Sequence, residues 1–239
     1  MNDCFRGYVL RTVDYKDNDL ILSILTEDEI VTVLARGAKK INSKRKSLTH
    51  PYSYCEFEVT KSKGGHLALS GGVLLNYPSK VEKSLTLILL LSILSHYILN
   101  LNETIFGYYL FTTSLKLIEE EANPKLILLA ILNEIAGHEG LMFNVDECVK
   151  CGSKKSIVHF SYDEGGFCCK NCYNHHQNKE YLSQMRILLK INLSNCDKID
   201  TVTGTTNEVI IRLIEALEDR AGIKFNAKSM LLATINKED

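Results

Sequence analysis

The sequence predicts an α+β multidomain chain with an amino-terminal five-stranded β-barrel, an α-helical domain and a four-cysteine excursion inserted into the helical part. Three observations carry this prediction. The apolar period is that of strands up to Pro78 and that of helices beyond it. Two Cys-x-x-Cys pairs interrupt the helical pattern. Charge also changes character along the chain: residues 1–80 hold 12 basic and 9 acidic side chains, whereas residues 81–146 hold 3 and 8. The 239 residues are otherwise ordinary, with 45% hydrophobic and 24% charged side chains and a net charge of -1. That composition excludes a disordered, collagenous or coiled-coil chain and permits a sizeable core.

Phe5–Val13, Leu20–Thr26 and Ile30–Arg36 are each rich in β-branched or aromatic residues and are separated by Asp, Glu, Lys and Asn clusters, as strands are. Cys55, Phe57 and Val59 alternate with Glu56, Glu58 and Thr60, which predicts a fourth strand with one face buried. After the turn residues Lys63-Gly64-Gly65-His66, the apolar pattern restarts at Leu67 and runs to Leu75, with Gly71-Gly72 suited to a bulge. Five short strands in so few residues fit a closed barrel of the OB type, and an SH3-like barrel fits the arithmetic almost as well.

Leu87, Leu90, Leu91, Leu94 and Ile98 recur at helical spacing, and a second helical stretch runs from Thr104 to Glu121. Asn123-Pro124 supplies an N-cap and an N1 proline for a third helix ending near Gly140. Residues Tyr181–Leu193 read as a further helix. Thr205 with Glu208 reads as a capping box for another, closed by Gly222. The long apolar run Leu85–Leu101 is broken by Ser92, Ser95, His96 and Asn100, and falls short of the ~20 apolar residues that a membrane span requires. The first residues lack the pattern of a secretory signal, so a cytoplasmic protein with reduced thiols is expected.

Cys148-x-x-Cys151 and Cys169-x-x-Cys172 are separated by 17 residues, a spacing typical of zinc sites. Two residues between thiolates let both sulfurs of a knuckle reach one ion at ~2.3 Å, and the intervening hairpin brings the second knuckle opposite the first. Ile157, Val158, Phe160, Tyr162 and Phe167 are too few to fold such an excursion alone, so the ion is expected to supply much of its order. Two disulfides or free thiols are the alternative reading of the same pairs. Cys168 could replace Cys169 only at a longer spacing from Cys172, and His159, His175 and His176 are alternative ligands. A closed set of four thiolates leaves no position for a reactive water. Neither the zinc deaminase pattern nor HExxH is present, and there is no phosphate loop, dinucleotide fingerprint or nucleophile elbow. No enzymatic turnover is expected.

The segment Arg36–Lys46 carries Arg36, Lys39, Lys40, Lys44, Arg45 and Lys46 with no acid, on a chain that is neutral overall. Such a concentration marks an anion site, a phosphate backbone in particular. Gly37 and Ala38 are expected to keep the chain slim enough for its amides to approach phosphates, and Ser43 to donate a hydrogen bond to one. Tyr8, Tyr15, Tyr52 and Tyr54 are candidate stacking platforms or barrel core. Asp14, Asp17 and Asp19 are expected to form a solvated turn.

Taken in order, GYVLRTVDYKDNDLILSILT, the ARGAKK and SK elements of the basic segment, LLAILNEIAGHEGL, CVKCG, FSYDEGGFCCKNC and GIKFNAKSMLL resemble the RecO family of bacterial recombination mediators over nearly the whole chain. The resemblance implies an OB-type DNA-binding barrel over 1–78, a helical domain over 79–146 and 177–239, and a zinc-finger insertion over 147–176. It implies DNA contacts by Arg36, Lys39, Lys40, Lys44, Arg45 and Lys46, and a structural Zn2+ on Cys148, Cys151, Cys169 and Cys172. It further implies binding to single- and double-stranded DNA, annealing of strands coated by single-strand-binding protein, a pocket for that protein's tail, and loading of RecA with RecR. A cytoplasmic, nucleoid-associated protein without membrane contact follows. Cys168 and the lysine-rich loop depart from the usual family pattern. A zinc-ribbon interaction module without DNA affinity, and a metal-dependent hydrolase, are the rival classes.

Overall fold

The computed structural model describes residues 2–62, 64–199, 202–225 and 227–235. The chain divides within a helix into two compact units, residues 1–115 and 116–239.

The first unit is built on β1 (Asn2–Tyr15), β2 (Asp19–Leu25), β3 (Ile30–Ala35), β4 (Tyr54–Lys61) and β5 (Leu67–Asn76), which close in the order β1-β2-β3-β5-β4. β1 achieves closure by its length. Its first half, Asn2–Tyr8, pairs antiparallel with β4, and Tyr8–Tyr15 pairs antiparallel with β2. β3 meets β5 in parallel through Val33–Leu67 and Leu34–Ala68, so the five-stranded barrel of the OB type expected from the strand count is the one formed. The predicted alternation in β4 is obeyed, with Cys55, Phe57 and Val59 buried between less buried neighbours. These side chains join Val9, Leu22, Ile24, Val33 and Leu69 in one core, where full burial of a residue such as Phe57 contributes about 1.5–3 kcal/mol.

β5 has two bulges, one at Leu75 and one at Ser70, the second immediately before the two glycines. Glu58 opposes Gly71 and Val59 opposes Leu69, which leaves Ser70 out of the ladder. Gly72 answers a different constraint. Its φ is +150° and a Cβ there would stand 2.3 Å from the Glu56 carbonyl oxygen, so the two strands approach this closely only because the side chain is missing.

Helix α1 (Leu85–Leu99) starts at Ser84, whose side chain accepts from the Leu87 amide, and α2 (Thr104–Glu119) follows. In the second unit α3 (Pro124–His138) is capped by Asn123, as predicted, and is buried on every face from Leu126 to Leu132. α4 (Lys179–Leu188) ends against α3, where buried Asn133 Nδ2 donates to the carbonyls of Leu188 and Ile191. α5 (Gly204–Ala221) packs on α3 and α4 and is closed by Gly222 in the left-handed region, as its sequence position predicts. α6 (Lys228–Ile235) follows.

The capping box of α5 differs from the predicted one. It is formed by Thr203 and Thr206, with Thr206 Oγ1 accepting from the Thr203 amide at 3.1 Å. Thr205 instead hydrogen-bonds Gln184, and Glu208 faces two tyrosines described below. Between α3 and α4 lies the hairpin β6 (Ile157–Ser161) and β7 (Gly166–Cys169) that carries the cysteines. No helix among the described residues is long and apolar enough to cross a membrane.

Candidate nucleic-acid interface and metal centre

The basic segment is the first part of the connection between β3 and β4, and it is folded tightly against the barrel. Ala38 is 1% exposed and Leu48 3% exposed, and both belong to the barrel core. They plug the loop into the barrel at two points, which leaves the intervening cations on the surface. The turn between β1 and β2 supplies further ties. Asp19 Oδ1 accepts from the Gly37 amide at 2.8 Å, Lys39 N donates to the Asn18 carbonyl at 3.0 Å, and Lys39 Nζ pairs with Asp14 at 2.6 Å. Of the acids expected to form a solvated turn, Asp14 and Asp17 are exposed as expected, and Asp14 and Asp19 also hold the loop. The Gly37 amide, expected to face phosphate, is already engaged.

Arg36, Lys40, Lys44 and Arg45 line one groove of about 1000 Å3 that also includes Lys16, Asp17, Asp19 and the β5 segment Ser70–Gly72. Lys16 escaped the sequence reading because it lies on the preceding turn, far from the cationic run. The six predicted residues are not equivalent. Arg36, Lys40 and Lys44 are exposed on the groove, Lys46 is exposed at the start of the 3-10 turn Lys46–Leu48, and Lys39 is ion-paired. Arg45 is half-buried and directs Nη1 to the Arg36 carbonyl at 2.9 Å.

Of the candidate stacking tyrosines, Tyr8 packs on Tyr54 with ring centroids 4.5 Å apart and meets Tyr108 and Phe111 of α2 edge-on. Tyr52 also faces Phe111. Burial, with smaller contributions from Tyr108 and Tyr54, pushes the Tyr8 hydroxyl up to about 12, and burial alone does the same to Tyr52. These three rings are packing elements. Tyr15 is the exposed one, with Lys16 Nζ 5.3 Å from its ring centroid.

In the second unit the two knuckles bring the sulfurs of Cys148, Cys151, Cys169 and Cys172 within 4.8 Å of one another. The Cys151–Cys169 separation of 3.6 Å is far longer than a disulfide and close to the ~3.8 Å edge of a thiolate tetrahedron around an ion at ~2.3 Å. Tight turns shape each knuckle: Gly152 N donates to the Cys148 carbonyl, and both Cys172 N and Tyr173 N donate to the Cys169 carbonyl.

Burial opposes ionisation of Cys148, yet amide hydrogen bonds from residues 169, 150 and 151 prevail and lower its thiol to about 6. Cys172 moves the other way, to about 12, chiefly through its sulfur neighbours Cys151 and Cys169. Four such thiols shed their protons together only with a cation among them, so the donor set fits a metal ion. Cys168 is buried opposite His159 in the hairpin, outside the quartet. His159 stacks on Tyr173 at 4.2 Å and His175 meets it edge-on; neither joins the four sulfurs.

The excursion also draws on residues outside the predicted limits. Phe143 packs edge-on against Phe160 and Tyr162, and Asn144 bonds the β7 side of the hairpin through Gly165 and Phe167. Arg186 of α4 donates Nε to the Val145 carbonyl and lies over the Phe167 ring at 5.1 Å. Tyr162 and Tyr181 both donate to Glu208 of α5. At the other edge, the Gln177 side chain accepts from the Phe160 amide at 2.6 Å and donates to its carbonyl at 3.3 Å, in the manner of a neighbouring strand.

Two family models match this chain: "Recombination protein O N terminal" over residues 1–75 and "Recombination protein O C terminal" over residues 83–227. Among similar curated proteins, the DNA repair protein RecO of Bacillus pumilus is 26% identical over 94% of this chain and 91% of its own length. The RecO proteins of Clostridium perfringens and Bacillus subtilis are 32% and 30% identical, over 83% and 70% of this chain and 83% and 67% of their own lengths. With one model matched over residues 1–75 and the other over residues 83–227, the chain belongs to the recombination protein O (RecO) family.

Proposed function

We propose that the chain is a DNA-binding repair protein that brings complementary strands together and, with RecR, helps load RecA onto DNA covered by single-strand-binding protein. The observation that carries this reading is the groove formed by Arg36, Lys40 and Lys44 on a loop already ordered by the barrel. Preordered cations on a neutral protein bind a phosphate backbone at little ordering cost. Joining two strands requires an offset to their mutual repulsion, and base pairing between them supplies the sequence discrimination. No base needs to be read by the protein.

Arg36, Lys39, Lys40, Lys44, Arg45 and Lys46 form the DNA-binding set, by contacting phosphates or by shaping the loop that does, and Cys148, Cys151, Cys169 and Cys172 hold a structural zinc ion. Zinc is the ion that four thiolates in a closed tetrahedron favour, and when bound it fixes the hairpin instead of activating water. Work in the bacterial cytoplasm, at the nucleoid, follows from this reading.

The test is a fluorescence-anisotropy titration with labelled single-stranded DNA at low and moderate salt. If six cations each met a phosphate of that single strand, the slope of log affinity against log salt would approach about -4. Replacing Lys39, Lys40, Lys44 and Arg45 together by Glu is expected to abolish most binding and annealing. Retention of both would reject the loop as the site and favour a protein-interaction module.

A further inference from the structure

Resting on the DNA-binding reading above, we infer that Arg45 is the positioning residue of the groove, holding the other cations in place instead of neutralising a phosphate itself. The bulge at Ser70 turns that residue out of the β4–β5 ladder, which leaves its carbonyl available beside the loop. Arg45 Nη2 reaches this carbonyl at 3.5 Å while Nη1 donates to the Arg36 carbonyl at 2.9 Å. Nε is buried, so the inner edge of the guanidinium lies against protein, and the planar fork joins the two ends of the groove wall.

One of the two carbonyls belongs to Arg36, the first cation of the loop. Arg45 therefore closes the segment that displays Lys40 and Lys44 into a ring and fastens that ring to β5. Its amide is held as well, donating to Ser43 Oγ at 3.3 Å. A lysine at this position would keep the charge but lose the fork that spans two carbonyls.

The distinction is measurable because a contact and a latch affect salt dependence differently. Removing a phosphate contact makes the slope shallower by about 0.7 on a single strand. Removing a latch leaves the same phosphates to be met once the loop has been ordered, so affinity falls at every salt concentration and the slope is kept. The experiment measures anisotropy with labelled oligothymidylate over a salt series for the full chain and for Lys40→Ala, Arg45→Ala and Arg45→Lys.

Lys40→Ala is expected to flatten the slope. Both Arg45 variants are expected to bind about tenfold more weakly with the parent slope, the ordering cost of a freed loop. A flattened slope for Arg45→Ala together with parent-like binding by Arg45→Lys would overturn the inference and make Arg45 a phosphate contact. Parent-like binding by both Arg45 variants would also overturn it. If Lys40→Ala changes neither slope nor affinity, the groove itself fails as the DNA site, and the role of Arg45 fails with it.

Discussion

The cationic loop of the barrel and the cysteine hairpin of the second unit both gather charge-bearing groups, yet they obtain their order from opposite sources. The loop borrows it. Ala38 and Leu48 sink into a core that exists for other reasons, and Asp19, Asp14 and Asn18 tie the remainder to a neighbouring turn. Apart from Arg45 and Lys39, which tie the loop down, its cations can therefore stay exposed without being needed for folding. The hairpin has a modest apolar cluster around Phe143, Phe160, Tyr162 and Phe167, and its sulfurs lie too close to be ionised together without a cation. A loop that displays exposed cations can be built on borrowed packing, whereas a hairpin built around four sulfurs would make a bound ion part of its packing.

The sharpest way to test this contrast is to deny the hairpin a metal ion. Chelation, or Cys169→Ser, is expected to cost the hairpin several kcal/mol of local stability and to release its amides to hydrogen exchange, while amides of β1–β5 stay protected. A hairpin that stays protected would mean that its own packing suffices. A smaller and opposite effect is expected from Gly72→Ala, which drives a Cβ into the Glu56 carbonyl. It should lower barrel stability by about 2–3 kcal/mol in a denaturant melt and leave hairpin amides unchanged. Smallest is Asp19→Ala, expected to cost about 1 kcal/mol through loss of the carboxylate that accepts from Gly37. Its signature is faster exchange at the Gly37 amide with little change in melting. An unchanged rate there would show that Ala38 and Leu48 alone hold the loop.

The barrel was readable because a strand with one face buried must alternate, as Cys55-Glu56-Phe57-Glu58-Val59 does. The knuckles were readable because a chelate constrains sequence spacing. What escaped depended on contacts distant in sequence. Nothing local marks Asp19 as the acceptor for Gly37, or Ala38 and Leu48, set in a charged run, as barrel plugs. Thr205 and Glu208 matched a capping pattern locally, yet α5 starts earlier and Glu208 is drawn to Tyr162 and Tyr181. Phe143 was assigned to the helical part because its partners, Phe160 and Tyr162, lie beyond the first knuckle.

Gln177 gives the cysteine hairpin an unusual kind of protection. By offering one side-chain acceptor and one donor to Phe160, it occupies hydrogen-bonding positions through which a two-stranded ribbon would otherwise recruit a second molecule. That guard follows closely on Cys172 in sequence, so whatever loosens the second knuckle also slackens the guard. Loss of a bound ion would thus carry a hazard of self-association in addition to a loss of shape.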